Sequence, residues 1–85
     1  MESSEKGKKV AIVKEQSIAG RALIGWSRKH LSKASGVSMR TLARFEDGEC
    51  EIGTDLIFAV WKALSEAGVK FIPATRGGPG VRLKT

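Results

Sequence analysis

Arg40 and Arg44 lie one helical turn apart within the stretch GVSMRTLARFEDG, residues 36–48. The guanidinium group is a planar fork of donors that suits a phosphate, a carboxylate or the O6 and N7 edge of guanine. At 100° per residue, Leu42 and Phe45 lie about 60° apart on the opposite side of the same helix. The stretch therefore predicts an amphipathic helix with an apolar inner face and a cationic outer face.

The rest of the chain offers little material for catalysis or metal binding. Cys50 is the one cysteine and His30 the one histidine, so an internal disulfide and a multi-cysteine zinc site are excluded. We expect structural roles for both residues. The sequence has no paired carboxylates, no nucleophile beside a base and no metal-ligand spacing, so we expect no enzyme, no cofactor, no metal and no small-molecule ligand.

Positive charge is concentrated in the first half of the chain. The net charge is +6, and residues 1–45 carry ten Lys and Arg against three acidic residues, whereas residues 46–85 carry five against six. Such polarity favours a polyanion, either nucleic acid or an anionic membrane surface. With 85 residues, 41% of them hydrophobic, one folded domain is expected. The sequence has no long uncharged run and no signal peptide, so we expect a cytoplasmic protein and no membrane partner.

The sequence pattern predicts three helices before residue 48. Residues 1–14 are expected to form a basic, partly disordered tail, in which Val10 to Val13 fit either a short strand or an extension of the first helix. That helix runs from about residue 15 to 24 and stops at Gly25. Ser27 caps a second helix that ends near Gly36, and Ser38 caps a third over residues 38–47.

The second half predicts one more helix and two short strands. A helix from Thr54 or Asp55 to about Ala67 carries apolar residues at helical spacing, with Gly68 beyond it as a cap. Residues 69–72 and 81–84 are strand-like and are separated by a loop rich in Gly and Pro. These strands either pair within one chain or add to a partner chain, because an isolated two-stranded ribbon is only marginally stable.

Two short helices joined by the turn Ser35–Ser38 have the arrangement of a helix-turn-helix unit. Residues 18–69 resemble the phage repressor/Cro-like helix-turn-helix family, also called the XRE family. The resemblance is carried by Arg21, Gly25-Trp26-Ser27, Leu31, Ser35-Gly36-Val37-Ser38, Thr41-Leu42, Phe45-Glu46-Asp47-Gly48 and Ala63-Leu64. It implies a mostly α, compact four- to five-helix repressor-like domain at residues 15–68, followed at 69–85 by a short pair of strands that could serve in dimerisation.

The resemblance also implies roles for individual residues. Met39, Arg40 and Arg44 match positions that read base edges in the major groove. The resemblance also implies contacts with DNA phosphate for four residues, which are Ser27, Arg28, Ser38 and Thr41. Arg21 and Glu46 match a partly buried ion pair, and the helical wheel likewise places Glu46 where a carboxylate needs a partner.

The chain departs from the family pattern in two places near this surface. The loop after the third helix is often basic in the family, but here it carries Asp47, Glu49, Glu51 and then Asp55. Arg28 stands where a glutamine is usual, which increases the positive charge expected to face DNA.

The resemblance implies a sequence-specific DNA-binding transcriptional regulator, a bacterial repressor or autoregulator that binds double-stranded DNA in the nucleoid as a homodimer. The alternative is an antitoxin-like or antiactivator module that uses the same fold to bind a regulatory protein partner. The acidic loop and the extra strands favour this alternative, whereas Arg28, Arg40 and Arg44 favour DNA.

Overall fold

A computed structural model describes residues 11–75 and 77–84. These residues form a small, mostly helical domain with one two-stranded antiparallel sheet. The elements, in chain order, are α1 (Lys14–Ile24), α2 (Arg28–Ser35), α3 (Met39–Glu46), α4 (Thr54–Glu66), β1 (Val69–Ile72) and β2 (Gly80–Leu83). No helix in this part of the chain is long and apolar enough to cross a membrane.

Local side-chain and backbone chemistry sets the ends of α2 and α3. The hydroxyl of Ser27 accepts a hydrogen bond from the backbone N–H of His30 at 3.0 Å, and that of Ser38 accepts one from Thr41 at 3.1 Å. Each bond satisfies an N–H that has no partner inside the helix, which typically contributes about 1 kcal/mol. Gly36 ends α2 at a φ of 81°, a left-handed conformation that favours glycine.

The core lies between the four helices and the sheet. Its buried apolar side chains are Ile12, Leu31, Val37, Leu42, Val60, Ala63, Leu64 and Val69. α1 packs against α4 at Gly20, where a Cβ atom would lie 3.4 Å from a methyl carbon of Leu64, at the near limit of ordinary van der Waals contact. The sequence predicted α4 as the main apolar helix, and its buried Val60, Ala63 and Leu64 agree with that prediction.

The packed part of the chain begins before residue 15. Lys14 is the first residue of α1, and Ile12 before it is only 8% exposed, within the core. The side-chain oxygen of Gln16 accepts a hydrogen bond from the backbone N–H of Val13 at 3.0 Å. A domain boundary between residues 14 and 15 therefore falls inside a folded segment, and the expected tail at residues 1–10 lies outside the described residues.

The two strands pair within one chain, which is one of the two arrangements that the sequence left open. Val69 lies opposite Leu83 and Ile72 opposite Gly80. The side-chain amide of Gln16 donates to the carbonyl oxygens of Ile72 and Gly80 at 3.2 and 2.9 Å. Since Val69 is fully buried as well, the strands at residues 69–84 belong to the same core as the helices.

Candidate nucleic-acid interface

A short turn over residues 36–38 joins α2 to α3. Val37 in this turn is buried, and its carbonyl oxygen accepts a hydrogen bond from the hydroxyl of Ser32 at 2.6 Å. Its N–H donates to the hydroxyl of Ser35 at 3.2 Å. The turn is therefore held by an apolar side chain and by both of its backbone polar groups, which fixes the direction in which α3 leaves α2.

The two faces of α3 differ as the sequence predicted. Leu42 and Phe45 are buried, whereas Met39, Arg40 and Arg44 are exposed. Among the described residues, Arg40 forms no ion pair, and Nε of Arg44 lies 3.8 Å from a carboxylate oxygen of Glu49, a distance too long for a hydrogen bond. The outer face of α3 thus presents two guanidinium groups and one flexible apolar side chain to solvent.

Three hydroxyl groups lie at the starts of α2 and α3, those of Ser27, Ser38 and Thr41. Ser38 donates its proton to the hydroxyl oxygen of Thr41 at 2.9 Å while it accepts from the Thr41 backbone. The hydroxyl of Thr41 accepts this bond, so its own proton can be donated to an anion. Ser27 similarly accepts from the backbone N–H of His30 and keeps its proton for another acceptor. Of the three, Ser27 and Thr41 are the better placed to donate to a phosphate oxygen.

Glu46 lies at the centre of a charged cluster at the end of α3. The residue is 2% exposed, and its carboxylate accepts hydrogen bonds from Arg21 Nη2 at 2.8 Å and Arg21 Nε at 3.1 Å. The expected contact between Arg21 and Glu46 is therefore present. The hydroxyl of Ser17 and Nε of Arg28 also donate to the same carboxylate. One side chain thus ties together α1, α2 and α3.

The charge on Glu46 is maintained by these donors. Burial by itself raises the pKa of a carboxyl group, but the bonds from Arg21, Ser17 and Arg28 outweigh it, and the pKa of Glu46 is lowered from 4.5. A buried carboxylate is tolerated where charged partners and hydrogen bonds satisfy it. Glu46 therefore stays ionised at neutral pH.

Arg28 is engaged by two carboxylates of its own chain. Its Nε lies 2.9 Å from Glu46 and its Nη2 lies 2.6 Å from Asp47, while its side chain is 31% exposed. The hydrogen bond to Glu46 raises the pKa of Arg28 above its ordinary value, and the bond to Asp47 makes the next largest contribution. The resemblance implied a contact between Arg28 and DNA phosphate, but here the guanidinium faces protein carboxylates, because the N-terminus of α2 packs beside the C-terminus of α3.

The sequence pattern missed Ser17 and Asp47 as members of this cluster. Ser17 stands four residues before Arg21 and so shares its helix face, a signal that was available. No pattern in the sequence marks Asp47, since its bond to Arg28 depends on how α2 and α3 pack.

His30 is exposed and stacks on Trp26 with ring centroids 4.2 Å apart, and Cys50 is exposed with a free thiol.

The acidic loop after α3 borders an open groove of about 650 Å³. Its lining includes the apolar side chains of Ile12, Phe45, Ile52 and Ile57.

Within residues 11–75 and 77–84, no three His, Cys, Asp or Glu side chains converge to hold a metal ion. Comparison of the chain with protein-family models and with the curated proteins found no match.

Proposed function

We propose that this chain is a sequence-specific DNA-binding transcriptional regulator of the repressor-like helix-turn-helix kind. The observation that carries the proposal is the outer face of α3, where Met39, Arg40 and Arg44 are exposed on a helix whose opposite face is buried. A helix of this width fits the major groove of B-DNA, and arginine is the commonest side chain that reads guanine there. In the proposed complex, Arg40 and Arg44 contact base edges and Met39 makes apolar contact.

Hydroxyl groups at the starts of α2 and α3 supply the contacts with the DNA backbone in this proposal. Phosphate contacts set the position of a protein on DNA, while base contacts supply the sequence information. Thr41 and Ser27 have protons to donate to phosphate oxygens, and Ser38 is bonded to Thr41 at the start of α3. The net charge of +6 adds an electrostatic attraction to the phosphate backbone, and this attraction does not depend on the DNA sequence.

A dimer is part of the proposal, because one chain presents one recognition helix. The described residues measure 36 × 27 × 22 Å, so their longest dimension is close to one turn of DNA, roughly 34 Å. Two copies would place two α3 helices in successive major grooves. Phe58 on α4 and Leu83 on β2 are large apolar side chains that are 46% and 53% exposed. We place the contact between copies on α4, where the ring of Phe58 lies 5.6 Å from that of Trp61 and the two form one apolar surface.

The test of the proposed function is selection of binding sites from random double-stranded DNA by the purified chain at physiological salt. We expect enrichment of a palindrome whose half-sites lie about one helical turn apart. The variant Arg40→Ala/Arg44→Ala should lose the enrichment. The matched control is Lys70→Ala/Arg82→Ala, which removes two charges from an exposed pair across β1 and β2 and should select the same palindrome.

A second function, binding of a protein partner, is favoured by the acidic loop and the apolar groove beside it. The carboxylates of Glu49 and Glu51 are exposed at one edge of the groove, while Phe45 and Ile52 contribute its apolar wall. This arrangement suits a partner segment with apolar and basic side chains. Random-site selection distinguishes the two functions: recovery of no DNA sequence would reject the DNA-binding proposal and favour the protein-binding module.

A further inference from the structure

We propose that Arg28 is a positioning residue of the DNA interface and that Asp47 keeps its charge away from phosphate. This inference rests on the proposed function, since it concerns the same surface. It assigns to Arg28 the task of holding the end of α3 against the start of α2. It assigns to Asp47 control over the number of phosphate contacts that the protein makes.

The hydrogen bonds of Arg28 carry the first step. A guanidinium group has five N–H donors in a fixed fork. Nε is bound to Glu46 at 2.9 Å, on the buried side, and Nη2 is bound to Asp47 at 2.6 Å, on the solvent side. With Nε and Nη2 both held, the planar group is oriented along the seam between α2 and α3 and faces two carboxylates of its own chain.

The charge balance of the cluster carries the second step. Two guanidinium groups, those of Arg21 and Arg28, face two carboxylates, those of Glu46 and Asp47. The four groups sum to zero, so the cluster adds no net positive charge to the interface. A phosphate oxygen that takes the Nη2 donor of Arg28 displaces Asp47, which is 48% exposed, and leaves the bond to the buried Glu46 in place.

The test is the salt dependence of binding to a short duplex of random sequence, measured by fluorescence anisotropy. The slope of log K against log salt changes by about 0.9 for each phosphate contact. Arg28→Gln, which removes the charge and retains an amide donor, should leave this slope unchanged. Asp47→Asn should free Nη2 of Arg28 and steepen the slope by about 0.9, which is about a 3.5-fold greater loss of affinity between about 50 and 200 mM salt.

Two controls separate this effect from the general removal of negative charge. Glu51→Gln removes one exposed carboxylate from the same acidic loop, away from the Arg28 fork, and its slope should match that of the wild type. In an Arg28→Gln background, Asp47→Asn should no longer steepen the slope. Thermal melting followed by circular dichroism checks that each variant is folded.

The positioning role has its own readout, the ratio of affinities for the selected palindrome and for random DNA. Arg28→Gln should lower this ratio by about 2- to 30-fold, the range found for coupling through packed contacts, and Arg28→Lys should restore part of it.

A slope flattened by about 0.9 in Arg28→Gln would overturn the inference, as would an unchanged slope in Asp47→Asn. If the wild type binds neither DNA, the proposed function itself fails, before any variant is compared.

Discussion

Glu46 is the residue on which the packing of three helices converges. Its carboxylate accepts bonds from Arg21, Arg28 and Ser17 while almost fully buried. Glu46→Ala leaves the guanidinium of Arg21, only 16% exposed, without its charged partner. We expect the free energy of unfolding to fall by about 3 kcal/mol, measured by urea denaturation at pH 7. A loss no larger than that of an exposed control, Glu66→Ala on α4, would contradict a structural role for the cluster.

The lowered pKa of Glu46 predicts a dependence of stability on acid. A carboxyl group whose pKa is lower in the folded state stabilises the protein above its unfolded pKa, and this stability is lost as the pH falls through the folded value. We therefore expect the melting temperature to decline below about pH 4.5, the ordinary value for this group. In Glu46→Gln the decline should be shallower. Parallel pH profiles in the two proteins would assign the acid sensitivity to other groups.

Arg44 is the residue where the base-reading proposal can be tested singly. Arg44→Ala should cost about 1–3 kcal/mol of binding free energy on the selected palindrome and relax the preference at particular base pairs. Arg82→Ala on the exposed side of β2 provides the control, because it removes the same side chain from a strand that packs on α1. Equal loss of affinity on every DNA sequence would show that Arg44 contributes charge but does not read bases.

At the scale of elements, Gln16 attaches the sheet to α1. Its amide donates to the carbonyl oxygens of Ile72 and Gly80, and its carbonyl oxygen accepts from Val13. Gln16→Ala leaves these partly buried groups without partners, which should cost about 2 kcal/mol. Hydrogen exchange should become faster at the amides of β1 and β2. Glu15→Ala, next to it on the exposed side of α1, should change stability by less than about 0.5 kcal/mol.

Helix boundaries were predicted well where local chemistry sets them. Ser27 and Ser38 each cap the helix that the sequence assigned to them, and Gly36 ends α2 as expected. The start of α1 was placed one residue late and its link to the core was missed. The reason is that Ile12 and Gln16 are held by contacts with distant residues, which no local pattern reports.

At the scale of the whole molecule, the chain presents a single α3 on a body whose longest dimension is 36 Å. We expect two copies on each palindromic site, with a footprint that covers both half-sites and a complex mass equal to two chains plus DNA in analytical ultracentrifugation. Duplexes with one half-site should bind much more weakly, because the second recognition helix then has no bases to read. Equal affinity for half and full sites would contradict the dimer.

The candidate site was predictable from the sequence as far as α3 itself is concerned. The spacing of its apolar residues predicts that Leu42 and Phe45 are buried and that Arg40 and Arg44 are exposed. The structure shows the same burial for all four residues. The partners of Arg28 were not predictable, because Glu46 and Asp47 are 18 and 19 residues away and meet it only through the packing of α2 against α3.

The sequence by itself determined the helices, their caps and the two faces of α3, because these depend on residues within one or two turns of each other. Only the tertiary structure decided that the strands pair within one chain, that Gln16 binds them across 56 and 64 residues, and that Arg28 faces carboxylates. Such contacts depend on the relative positions of whole elements. These positions follow from the packing of the complete core and are not contained in any local pattern.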